Sequence, residues 1–211
     1  MESVQTVSHP PGRLPPPGAA LETHLLRRGD AQRAAAERFI ADVYARSYGA
    51  RITHYADQLL GLNRGDVWIG AVGYTMAEPG PLFVEHYLDR PVEDEIAALT
   101  GRSVRREHVA EVSNLAAPRS SAARQVIVHM TRLLHEIGRT WVVFTATRAL
   151  LNSFDRLGIE TLVLARAEPS RLPDRGAGWG SYYATGPHVV TANIPRGFAH
   201  LRRAAAQAMA R

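Results

Sequence analysis

The chain has no lysine and no cysteine among its 211 residues, and all 25 of its basic side chains are arginine. Without lysine there is no side-chain amine for a Schiff base or a pyridoxal-phosphate anchor, no phosphate-loop lysine and no kinase strand lysine. Without cysteine there is no thiol nucleophile, disulfide or thiolate metal site. Long apolar runs are missing too, since no stretch reaches the ~18 to 20 apolar residues of a membrane span. The opening Met1-Glu2-Ser3-Val4-Gln5 lacks a basic segment followed by an apolar run, so a secretory signal is not expected and a cytoplasmic location is the default. Chemistry must therefore rest on carboxylates, histidines, hydroxyls, the N-terminal amine or the backbone.

With 45% hydrophobic residues the chain can bury the core of one ordinary domain. The net charge of +5 and the isoelectric point near 10.1 follow from using arginine alone against 20 acids, which reads as coding bias rather than as a nucleic-acid partner. Residues 1–20, rich in proline around Pro10-Pro11 and Pro15-Pro16-Pro17, read as a tail. A domain over 21–195 and a basic C-terminal helix over 196–211, marked by the alanine-rich run Phe198 to Arg211, complete the division.

A short strand is predicted over Leu21 to Leu26, then a helix from an Asp30 cap to Arg46, with Ala34, Phe39, Ile40, Val43 and Tyr44 at helical spacing and Gly49 as its stop. Strands from Asp57 to Leu62 and from Val67 to Tyr74 flank the turn Asn63-Arg64-Gly65-Asp66 as a hairpin. Phe83 to Leu88 is a short amphipathic segment, and Pro91 followed by acids opens a helix through Leu99. Strands at Val109 to Ala116, Trp141 to Thr147 and Thr161 to Ala165 alternate with helices at Ser120 to Ile137 and Ala149 to Leu157, which makes an α/β or α+β domain.

No H-E-x-x-H occurs among the nine histidines, and His129 and His135, six apart, fall on different faces of a helix rather than at the i, i+4 spacing of a metal pair. Gly178-Trp179-Gly180-Ser181 lacks the glycines of a nucleophile elbow, so Trp179, Tyr182 and Tyr183 read as packing around a turn. Glu111 is different: it precedes the tight turn Ala117 to Arg124, where small residues, two arginines and a helix N-terminus form a candidate anion cradle.

Seven runs in order resemble the GNAT acyltransferase superfamily, and more closely the acyl-homoserine-lactone synthases and the thermostable hemolysin family that shares their pattern. They are Tyr44 to Thr53, Gly70 to Tyr74, Leu82 to Glu93, Glu111 to Ala116, Trp141 to Thr147, Asn152 to Gly158 and Trp179 to Tyr183. The resemblance implies an α+β fold, an α/β/α sandwich with a mixed, mostly antiparallel central sheet whose central strands, Val109 to Ala116 and Trp141 to Thr147, splay apart around an acyl thioester.

It implies an acyltransferase that moves an acyl group from acyl-CoA or an acyl carrier protein to a small amine or amino-acid-like acceptor, with no permanently bound cofactor and no metal. Glu111 is implied as base, Glu85 as second choice, and the strand backbone from Val112 to Leu115 as source of an oxyanion N–H. Donor contacts fall on Leu115, Ala116, Arg119, Ser120, Ser121, Ala122, Ala123, Arg124, Thr145, Asn152 and Phe154. An acidic carrier protein would meet Arg102, Arg105, Arg106, Arg119 and Arg124 clustered at the tunnel mouth. Three departures stand out: the turn lacks both superfamily glycines, Phe154 replaces a tyrosine acid, and Asn114 replaces an arginine of the lactone synthases. The alternatives are a membrane-acting hemolysin-like protein and a non-catalytic acyl-CoA-binding module.

Overall fold

A computed structural model describes residues 18–210; the proline-rich run lies outside them. Seven strands form one sheet in the order β1-β2-β3-β4-β5-β7-β6. Strands β1 (Leu21–Leu26), β2 (Gln58–Arg64), β3 (Val67–Met76) and β4 (Val109–Ala116) make an antiparallel meander. Strand β5 (Trp141–Ala146) joins β4 in parallel, and β7 (His188–Asn193) pairs antiparallel with both β5 and β6 (Leu162–Arg166). The fold is therefore the expected mixed, mostly antiparallel sheet.

Strand β7 is the element the sequence does not announce. Val189, Val190, Thr191 and Ala192 are all buried, because Val190 and Ala192 join the core on one face of the sheet and Val189 joins the core on the other. A strand covered on both faces loses the polar and apolar alternation that marks a half-exposed one. Helix α1 (Arg33–Tyr48) also begins later than expected. Asp30 does not cap it; its carboxylate accepts from the Arg27 N–H at 2.6 Å and closes the preceding turn.

Helix α1 and helix α2 (Val92–Thr100) cover one face of the sheet, and α3 (Ser120–Glu136), α4 (Arg148–Arg156) and α5 (Ile194–Met209) cover the other. Helix α3 buries Val126, Ile127, Met130 and Leu134 on the stripe its spacing predicts. Helix α5 starts at Ile194, ahead of the alanine-rich run, because the Asn193 side chain accepts from the Arg196 N–H and Pro195 occupies the first turn.

Two irregularities make the site. Pairing between β4 and β5 stops after Val109 with Trp141, Ala110 with Val142 and Glu111 with Val143. Beyond Glu111 the two strands part. On its other edge β4 carries a bulge between its Ser113 and Ala116 pairings, with Asn114 in the left-handed region at φ 53°. An extra residue in one strand of a pair bends that strand. The Asn114 side chain holds the bend, accepting from the Ala56 N–H at 3.2 Å and donating to the His54 carbonyl at 3.3 Å.

Candidate active site

Strand alternation decides where Glu111 points. Its neighbours Ala110 and Val112 join the core under α3, so Glu111 faces the opposite side, where α1 and the 3-10 turn Phe83–Tyr87 lie. It is 4% exposed, and Oε2 accepts from the Phe83 N–H at 2.7 Å. No cation bonds to it among the described residues. Burial pushes its carboxyl up to about 8; the Phe83 and Val84 N–H groups pull against this, and the nearby Glu85 charge adds to it. Near neutrality the group is mostly protonated, poised to exchange a proton.

Glu85 sits in the same turn under opposite constraints. Burial raises its carboxyl, but Arg106 and the N–H groups of Val92 and Leu82 outweigh that and hold it at about 2. Arg106 reaches it with two nitrogens, at 2.7 and 2.9 Å, and also binds Glu93 and the carbonyls of Ala77 and Gly80. The Glu85 side chain is not on the cavity wall. It ties the 3-10 turn to the start of α2.

The gap between β4 and β5 opens into a cavity of about 450 Å³ that passes from one face of the sheet to the other. On the α3 side its wall is mostly apolar: Ala123, Val126, Ile127, Met130 and Leu134 from α3, with Val142, Phe144, Phe154 and Ile194 opposite and the hydroxyls of Thr131 and Ser153 among them. Phe144 and Phe154 stack with ring centres 4.9 Å apart. The turn Ala117-Pro118-Arg119-Ser120 forms the rim at the α3 N-terminus.

Of the donor contacts expected from the sequence, Leu115, Arg119, Ser120, Ala123, Thr145 and Phe154 line the cavity. Ala116 is buried in β4 opposite Ala71, while Ser121 and Asn152 are exposed, and with Ala122 and Arg124 these lie off the wall. The expected cluster of five arginines does not form. Arg102, Arg105 and Arg106 precede the start of β4, whereas Arg119 and Arg124 follow its end, roughly 23 Å away at ~3.3 Å per residue. Arg102 lines a different cavity with Trp141 and His200, Arg105 pairs with Glu107, and Arg106 is bound by Glu85 and Glu93.

The sequence reading passes over an aromatic wall on the Glu111 side. Tyr44 and Tyr48, one turn apart on α1, meet Tyr182, with Tyr48 and Tyr182 5.2 Å apart and edge-on. Trp179 lies 5.3 Å from Tyr182 and 6.2 Å from Phe83. All five line the same cavity as Glu111. The loop carrying Trp179 and Tyr182 is pinned to the end of α1, with the Arg51 N–H donating to the Gly178 carbonyl at 2.6 Å and the Ser181 N–H to the Tyr48 carbonyl at 2.8 Å. Gly180, at φ 53°, permits that approach, since a Cβ there would run into the Tyr48 carbonyl. The available signal was the helical spacing of Tyr44 and Tyr48; Trp179 and Tyr182 are brought in only by tertiary contacts.

The profile of one family, thermostable hemolysin, matches residues 26–198. The chain belongs to the thermostable hemolysin family. No curated protein matches it. Among solved structures, this family member is similar to FeeM, an N-acyl amino acid synthase from uncultured soil microbes, at TM-score 0.58 and 16% identity over 85% of this chain and 93% of that one. It is similar to BjaI, a CoA-dependent acyl-homoserine lactone synthase solved with SAM and isopentyl-CoA, at TM-score 0.58 and 14% identity, covering 87% and 89% of the two chains. The AHL synthase LasI gives TM-score 0.57 at 11% identity, covering 84% and 91%. At such identities the likeness is one of fold. No helix among the described residues of this hemolysin-family chain is long and apolar enough to cross a membrane.

Proposed function

We propose that the protein is an N-acyltransferase in which an acyl thioester occupies the β4–β5 gap and an amine enters from the Glu111 side. The observation that carries this reading is a buried carboxyl, held protonated near neutrality, on the wall of a cavity whose far arm is apolar. The apolar arm under α3 takes the acyl chain. The turn at Arg119 and Ser120 takes the donor's phosphate, with the α3 dipole and Arg119 supplying positive charge. Arg119 and Arg148, both exposed at the C-terminal ends of β4 and β5, suit either a CoA or a carrier-protein thioester.

In the reaction, ionised Glu111 removes a proton from the amine, directly or through one water, as nitrogen attacks the thioester carbon. The edge of β4 that faces β5, no longer paired with it between Val112 and Leu115, donates to the developing oxyanion. The C–S bond breaks, the thiolate leaves, and the proton taken by Glu111 returns to it or to solvent. Phe154 cannot protonate the thiolate. A free thiol has a pKa near ~8.5, so a thiolate is an adequate leaving group without an acid. Glu85 positions rather than reacts: it fixes the turn whose Phe83 N–H binds Glu111.

Glu111→Gln keeps the shape of the site and removes the base. Turnover of decanoyl-CoA with an amine should fall by at least ~100-fold while decanoyl-CoA binding stays within a factor of two or so. Undiminished turnover would refute the role of Glu111, and binding without turnover in the native chain would indicate a holding module. Under this reading, any lysis would come from an amphiphilic N-acyl product rather than from the polypeptide. Liposome leakage by donor-free protein that releases no thiol from any thioester would contradict it.

A further inference from the structure

Building on the acyltransferase reading, we infer that the acceptor is a primary amine carried on an aromatic body and lacking a carboxylate, an arylalkylamine rather than an amino acid. Among the described residues on the cavity wall, Glu111 is the one acid and Arg119 the one arginine. Arg119 stands at the N-cap of α3, on the donor rim. The acceptor side thus has one carboxyl and no guanidinium to meet a second carboxylate.

Two nearby arginines are held elsewhere, and Arg51, exposed beside the loop that carries Trp179, is not on the cavity wall. Arg106 is bound by Glu85, Glu93 and two carbonyls. Arg33, buried under the 56–57 loop, is bound by Glu37 and by the carbonyls of Leu26, Ala56 and Asp57. Asn114 is committed to the backbone of Ala56 and His54. His54, the one imidazole among the described wall residues, is exposed and bonded through Nδ1 to Thr53. An amino acid bound amine-first at Glu111 would lose the hydration of its carboxylate with no ionic partner, and would lay that charge beside Glu111.

What the wall does offer is π surface. Tyr44, Tyr48, Phe83, Trp179 and Tyr182 form a continuous set from the buried Tyr44 to Phe83, which is 42% exposed at the rim. Aromatic faces attract an ammonium and stack a flat ring, and Glu111 beyond them accepts the proton.

The experiment uses the full chain, decanoyl-CoA as donor, and acceptors paired so that they differ only in the carboxylate: tyramine against tyrosine, and phenethylamine against phenylalanine, with hexylamine as the non-aromatic control. Thiol release and the mass of the amide product are read together. The expected result is a kcat/KM at least 100-fold higher for each amine than for its amino acid, and at least tenfold higher for phenethylamine than for hexylamine. W179A should raise the KM for tyramine at least tenfold with a smaller effect on kcat, and W179F should restore it. Equal or better use of tyrosine, or hexylamine matching phenethylamine, would overturn this inference and leave the acyltransferase reading standing. No amide from any amine, with decanoyl-CoA bound, would overturn both.

Discussion

Glu85 and Glu111 accept hydrogen bonds from two successive backbone N–H groups, those of Leu82 and Phe83, each at 2.7 Å, yet near neutrality the first is ionised and the second mostly protonated. One has a guanidinium and further N–H donors; the other has burial and its neighbour's charge. Two acids driven apart in this way can divide the work, and in the proposed reaction one fixes the turn while the other exchanges a proton.

The first consequence is a pH profile. The base must be ionised, so kcat/KM should rise with pH through about 8 and level off above it. An aniline-type acceptor, unprotonated over the whole range, keeps the amine's own titration out of the measurement. A profile that is flat from pH 6 to 10 would remove Glu111 from the proton transfer.

The same carboxyl sets a pH dependence of stability. Its folded value near 8 lies above the ordinary 4.5, so the native state holds a proton the unfolded chain releases. The stabilisation is complete below about 4.5 and is lost as pH rises toward 8. Glu111→Gln should therefore melt at increasingly higher temperature than the native chain between pH 5 and 9, by several degrees at the upper end. A melting difference that does not change between pH 5 and 9 would show that ionising the buried carboxyl carries no cost.

Glu85 acts in the other direction. Held near 2 instead of 4.5, it contributes stability that is present above pH 4.5 and lost as pH falls toward 2. Arg106→Ala leaves that largely buried carboxylate without its partner and should destabilise by about 3 kcal/mol at pH 7. The deficit should shrink in acid. Chemical denaturation at pH 7 and pH 3 measures both quantities, and an equal deficit at both would contradict the ion-pair account.

The acyl arm can be shortened from within. Met130 lies on its wall, buried in α3, and Met130→Trp fills that space. Activity with dodecanoyl-CoA should fall at least tenfold relative to butanoyl-CoA, measured as kcat/KM for each donor. An unchanged chain-length profile would place the acyl group elsewhere.

Most of the architecture was legible because helices α1, α3 and α4 and the β2–β3 hairpin carry strong periodicity and turn chemistry of their own. Strand β7 was not, because burial on both faces erases alternation. Glu111 could be singled out from its place before the small-residue turn Ala117 to Arg124, but its isolation from any cation could not, since the arginines near it in sequence are drawn to Glu85, Glu93 and Glu107. The aromatic wall depends on Trp179 and Tyr182 arriving from far along the chain, held by backbone bonds to Tyr48 and Arg51 that no local pattern encodes.

The most direct measurement is a single-turnover reaction of the native chain with decanoyl-CoA and an amine, with free thiol and amide product quantified in the same sample. One amide should form for each thiol released, with both absent in Glu111→Gln although that variant still binds decanoyl-CoA. Thiol release without amide, or amide formation undiminished in Glu111→Gln, would contradict amine acylation with Glu111 as the base.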